Sequence, residues 1–228
     1  MVTGAWASRY YGEMSLDAPF LFMGARDFTH ARWRTQLYPT DLPPEWRFMF
    51  YSHRYPAILM SVRAWGFASE RLSSWESEAP SSFRVVLEVP DRGLERFLAL
   101  EPLPRPFIAG CIVRVARRIE PLMSQLEALA RVLPVAIDAR VPTEGLAATL
   151  SGIGVGLCGR PADGHVPSGP FAVSLIGEGD RALVGRALTA LLAVPAPQGR
   201  ALFFCKPDTA IRSLEEAQWL ASLLGERS

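Results

Sequence analysis

Eight short apolar runs, each set off from the next by an amphipathic or polar stretch, restrict the fold of this 228-residue chain more than any other feature. The runs are Phe20 to Gly24, Ala57 to Val62, Phe83 to Val89, Phe107 to Val115, Val135 to Asp138, Val155 to Cys158, Phe171 to Ile176 and Ala201 to Cys205. They are apolar almost throughout, the pattern of strands buried on both faces, so a parallel sheet covered by helices is expected. The intervening helices have legible ends. Pro43 to Tyr55 follows Asp41 as a cap, Ser69 to Ala79 stops at Pro80, and Glu120 to Val132 carries Pro121 in its first turn. Thr143 to Ile153 and Asp180 to Ala193 each open on a capping residue, and Ser213 to Leu224 opens with the Ser213 and Glu216 spacing of a capping box.

Eight such units in about 200 residues sit at the lower size limit of a (β/α)8 barrel. The expected fold is therefore α/β, a single TIM-barrel-like domain over residues 20–228 after an N-terminal extension, residues 1–19. Its third and sixth βα connections look shortened. Asp91 to Arg105 has room for a short helix only, and Gly159 to Pro170 reads as loop. A doubly wound sheet is the alternative, but it would carry a glycine-rich turn after its first strand, and GARDFTH from Gly24 does not fit that pattern.

Composition narrows the function. Charge is nearly balanced, with 24 Lys+Arg against 23 Asp+Glu, which argues against a basic coat for nucleic acid. No stretch approaches the roughly 20 apolar residues of a membrane helix, and residues 1–19 lack the pattern of a secretory signal. A cytoplasmic protein is expected. Cys111, Cys158 and Cys205 lie far apart in apolar runs, which suits reduced core thiols better than disulfides, and no metal or cofactor motif is present. Lys206 is the only lysine. A basic complement made almost wholly of arginine suits partly buried, two-pronged grips on carboxylate or phosphate.

Three segments resemble the YecE-like family, also called domain of unknown function 72. These are WRTQLYPTDLPPEWRFMFY from Trp33, LSSWESEAPSSFRVVLEVP from Leu72 and PVAIDARVPTEGLAATLSGIGVGL from Pro134. The resemblance implies a TIM-barrel-like fold. It also exposes departures: Leu59 and Ser61 stand where the family has Glu and Asn, and Glu88 where it has Lys. Asp138 and Arg140 stand for a Glu and Arg, and Ser174 and Ile176-Gly177 for an Arg and His-Gly. Most polar positions lining the family's barrel mouth are thus replaced.

Active faces of such barrels form where strands end. Basic residues outnumber acidic ones there: Arg26 after the first strand, Arg63 after the second, Arg114, Arg117 and Arg118 at the fourth, Arg140 at the fifth, Arg160 after the sixth and Lys206 after the eighth, against Asp27, Glu88, Asp91, Asp138, Glu178 and Asp208. Asp138 and Arg140 lie two apart on one strand and so share a face. One use is catalytic, with Asp138 as base and Arg140, Arg63 and Arg114 clamping an anion. The plainer use is a buried ion pair of Asp138 with Arg63 or Arg114 that only fixes strand packing. Arg26, Trp33 and Lys206 complete the candidate ligand-binding set near the mouth. IGEGD before the seventh helix could cradle phosphate, but Asp180 is better read as that helix's cap. The leading reading is a degenerate YecE-like barrel that binds or interacts without catalysis, through an arginine-rich mouth open to a small anionic ligand. The alternative is an enzyme acting on a phosphate- or carboxylate-containing substrate. A third reading is a homo-oligomer or protein partner on the face bared by missing helices.

Overall fold

The computed structural model describes residues 21–100, 103, 106–116, 118–139, 143 and 145–224. Eight parallel strands, β1 (Leu21–Arg26), β2 (Ala57–Met60), β3 (Arg84–Pro90), β4 (Ile108–Val115), β5 (Val135–Ala139), β6 (Val155–Leu157), β7 (Phe171–Ile176) and β8 (Gly199–Phe204), form one sheet. Every expected apolar run overlaps one of them, although β1, β3, β5 and β8 extend beyond the bounds of their runs. Their hydrogen-bonded order is β6-β5-β4-β3-β2-β1-β8-β7, which curls the sheet into a nearly closed barrel. Only one bridge spans the remaining seam, where the Gly159 N–H donates to the Val173 carbonyl (2.7 Å) and Gly159 accepts from the Leu175 N–H (2.9 Å). The N-terminal extension assigned to residues 1–19 lies outside the described residues.

The outer layer consists of α1 (Trp33–Gln36), α2 (Arg47–Arg54), α3 (Val62–Trp65), α4 (Ser69–Glu78), α5 (Leu94–Leu98), α6 (Met123–Ala130), α7 (Leu146–Gly152), α8 (Arg181–Ala193) and α9 (Pro207–Leu223). As expected, the third connection among the described residues holds a 3-10 turn, Asp91–Gly93, and the five-residue α5. The sixth has no α-helix. After β6 the chain makes a 3-10 turn at Pro161–Asp163 and returns alongside the strand, bridging Arg160 to His165 and Leu157 to Ser168.

Helix starts follow local chemistry, with corrections to three expected caps. The Asp180 carboxylate accepts from the Leu183 N–H at 2.8 Å, the cap read from sequence. Asp41, by contrast, caps nothing: a 3-10 turn at Pro44–Trp46 enters α2 with Pro43 in the cap position. Thr143 gives way to Gly145, which sits at φ 77°, a conformation glycine adopts without a steric penalty. The last helix begins at Pro207, six residues before Ser213, because proline suits a first helical position that has no bonded N–H to lose. Ser213 is buried mid-helix.

Alternation along the strands divides the core in two. Outward side chains such as Met23, Ile58, Val85, Val113 and Ile137 pack under the helices. Inward ones, including Leu59, Val86, Ile112, Ala136, Phe171, Val173 and Phe203, fill the bore. Phe171 crosses towards β4, where an added Cβ on Gly110 would meet its ring at 2.9 Å. The barrel is therefore a packed core with no channel. Among the described residues, no helix is long and apolar enough to cross a membrane.

Candidate functional site

The inward positions at the carboxyl ends of the strands are charged, and they meet. Two residues beyond the apolar layer of Val86, Ile112 and Ala136, the alternation brings Glu88, Arg114 and Asp138 to the mouth. Arg26 at the end of β1 and Arg160 just past β6 complete the set. β1 runs two residues further than the apolar pattern alone suggests, because Arg26 turns inward to a carboxylate.

The Arg26 guanidinium grips Glu88 with two parallel bonds, Nε to Oε1 and Nη2 to Oε2, both 2.7 Å. Arg160 grips Asp138 the same way, Nε to Oδ1 at 2.9 Å and Nη2 to Oδ2 at 2.7 Å. Arg114 links the pairs, its Nε donating to Asp138 Oδ2 at 3.2 Å and its Nη1 lying 3.6 Å from Glu88 Oε2. A chain of charge, Arg26–Glu88–Arg114–Asp138–Arg160, thus runs from β1 round to the sixth connection. The carboxylates lie inside and the guanidiniums face out: the Glu88 and Asp138 side chains are each 4% exposed, against 29%, 43% and 30% for Arg26, Arg114 and Arg160.

This arrangement sets the electrostatics. Hydrogen bonding to Glu88 holds the Arg26 guanidinium above its ordinary pKa against the opposing effect of burial, and Asp138 does the same for Arg160. Beneath them lie two thiols. Burial raises Cys158 well above the usual thiol range and pushes Cys205 up to about 12, with Glu88 adding to the second shift. Asp27, at φ 61°, accepts the Ser61 N–H at 2.8 Å and so pins the first loop to the second.

The remaining candidates are dispersed. Arg63 is exposed on α3 and forms no ion pair among the described residues. Trp33 is fully buried, stacked on Tyr51 with its Nε1 donating to the Pro207 carbonyl at 2.9 Å, so it presents no face to the mouth. Lys206 pairs with Glu178 at 2.6 Å on the rim. Arg140 lies outside the described residues. Arg160, placed at the mouth by sequence but given no role there, is the tightest partner of Asp138. The two-residue inward rhythm continued one step past β6 could have identified it. Among the described residues, no group of three His, Cys, Asp or Glu side chains is placed to hold a metal ion.

The buried protonated groups predict alkaline lability. The Cys205 thiol loses its proton near pH 12 in the fold but near 9.0 when exposed, and burial raises the Tyr38 and Tyr51 phenols above 10.0. As pH rises the unfolded chain ionises first. Stability should hold up to about pH 9 and fall between 9 and 12. Urea midpoints at pH 7, 9 and 11 test this, and a midpoint unchanged at pH 11 contradicts it.

No family model matches the chain, and no curated protein matches it. Solved structures do match it, among them two DUF72 family proteins. A DUF72 family protein from Thermotoga maritima is 12% identical with a TM-score of 0.68, covering 91% of this chain and 100% of that one. A DUF72 family protein from Enterococcus faecalis is 13% identical with a TM-score of 0.63, covering 92% and 99%. At these identities the likeness is one of fold, and the chain has the TIM-barrel-like architecture of these DUF72 family proteins.

Proposed function

We propose that the chain is a divergent YecE-like barrel that binds an anionic ligand at its arginine-rich mouth without performing catalysis. One observation supports this reading: both buried mouth carboxylates are already held by guanidiniums, while all three arginine side chains stay partly exposed. To act as a general base, Asp138 would have to abandon two bonds to Arg160 and one to Arg114. The partly exposed arginines, in contrast, can meet a carboxylate or phosphate without giving up these bonds. Cytoplasmic residence belongs to the same reading and suits three cysteines that lie far apart in apolar runs.

Arg114 is the most exposed of the three arginines and the one with the longest bonds, so it should contribute most to a ligand. A thermal-shift screen of small phosphorylated and carboxylated compounds, followed by titration calorimetry of each hit, tests the proposal. Arg114→Gln is expected to weaken a hit at least about tenfold, the loss of one charge-assisted contact. Arg140→Ala tests the remaining candidate. Affinity unchanged by both substitutions, or no hit at low salt, would remove the mouth as the binding site.

A further inference from the structure

The absent sixth helix leaves a groove of about 720 Å³ on the outside of the barrel. Its walls include Gly154, Val166, Pro167, Ala190, Val194 and Pro197, almost wholly apolar, and Val166 is 61% exposed there. We propose that this groove is the docking site of the chain's own N-terminal segment, residues 1–20.

Position supports that occupant. Gly154 immediately precedes β6, Pro170 precedes β7 and Pro197 lies two residues before β8, so the groove opens at the end of the barrel where strands begin. Leu21 starts β1 at that same end, paired with Arg200 of β8, which in turn pairs with β7. Two strand spacings amount to about 10 Å, and twenty residues can span up to about 60 Å, so reach does not limit the contact.

Composition supports it as well. The segment carries Val2, Trp6, Tyr10, Tyr11, Met14 and Leu16, enough apolar surface to fill a groove that no helix covers. An exposed apolar groove this large would otherwise favour self-association.

The full-length chain with p-benzoylphenylalanine in place of Val166 provides the test. Irradiated at low micromolar concentration, it should give a cross-link within one chain, mapped by mass spectrometry to residues 1–20. Cross-links between two chains, or to any other segment, overturn the proposal. Hydrogen exchange gives an independent reading in the natural chain. Combined Trp6→Ala, Tyr10→Ala and Tyr11→Ala substitutions should speed exchange at least about tenfold across 166–170 and 190–197; unchanged exchange there also overturns it.

Discussion

Gly156→Ala should abolish the native fold or cost at least about 3 kcal/mol, although alanine normally gains 0.4 to about 1 kcal/mol over glycine where the backbone permits it. A Cβ at Gly156 would collide with the Phe171 carbonyl oxygen and lie 3.0 Å from the Ser168 carbonyl oxygen. Both obstacles are backbone, so no side chain can swing aside. Phe171 opens β7 and Ser168 belongs to the return segment that replaces the missing helix. The methyl group would therefore pry apart the weakest boundary in the barrel. Gly152→Ala serves as the control, because nothing lies within 4 Å of its added Cβ and it sits in α7. That variant should gain up to about 1 kcal/mol. Urea unfolding of the two proteins decides the matter, and equal midpoints would mean that strand closure is looser than the geometry indicates.

The second large effect is expected at Asp138. Removing its carboxylate by Asp138→Ala leaves the Arg160 fork and the Nε of Arg114 without an acceptor over an apolar layer, and should cost about 3 kcal/mol. The lower end of the range for broken buried pairs is appropriate, since both arginines are partly exposed and can turn towards water. Asp138→Asn keeps the shape and loses the charge, so it should fall between the parent and the alanine variant. The combined Asp138→Leu, Arg160→Met change should recover much of the loss, because an apolar pair needs no counter-charge. A double-mutant cycle on urea midpoints measures the coupling. If Asp138→Ala proves as stable as the parent, the ion-pair chain has no structural role and the carboxylate is free for chemistry.

The barrel was legible because parallel strands covered on both sides leave a coarse mark, a run of apolar residues bounded by breakers. Even β6, with three residues, appears as Val155 to Cys158. The shortened third and sixth connections could also be read, since they depend on the spacing between runs. Finer features were hidden where a distant partner decides the local outcome. Arg26 extends β1 because Glu88, 62 positions away, receives it. Trp33, expected near the mouth with the ligand-binding set, is instead a packing residue whose indole closes against the Pro207 carbonyl, 174 positions on. The ion-pair chain followed a rule that sequence does contain, the two-residue inward rhythm. Its partners could not be matched without the barrel's curvature, which brings β1, β3, β4, β5 and the sixth connection to one rim.

The seam held by Gly159 also bears on how the molecule breathes. Covalent ends are commonly the first part of a domain to fray, but here the first and last strands are fastened by five register pairs, Leu21 with Arg200 through Ala25 with Phe204. The thin stitch lies in the middle of the sequence instead. Opening there breaks two backbone bonds and leaves every ladder intact, whereas opening at the termini would unzip a full one. A parting between β6 and β7 is therefore expected to need less energy than one between β1 and β8, and hydrogen exchange faster at Gly159 and Leu175 than along β1 is the result that checks it.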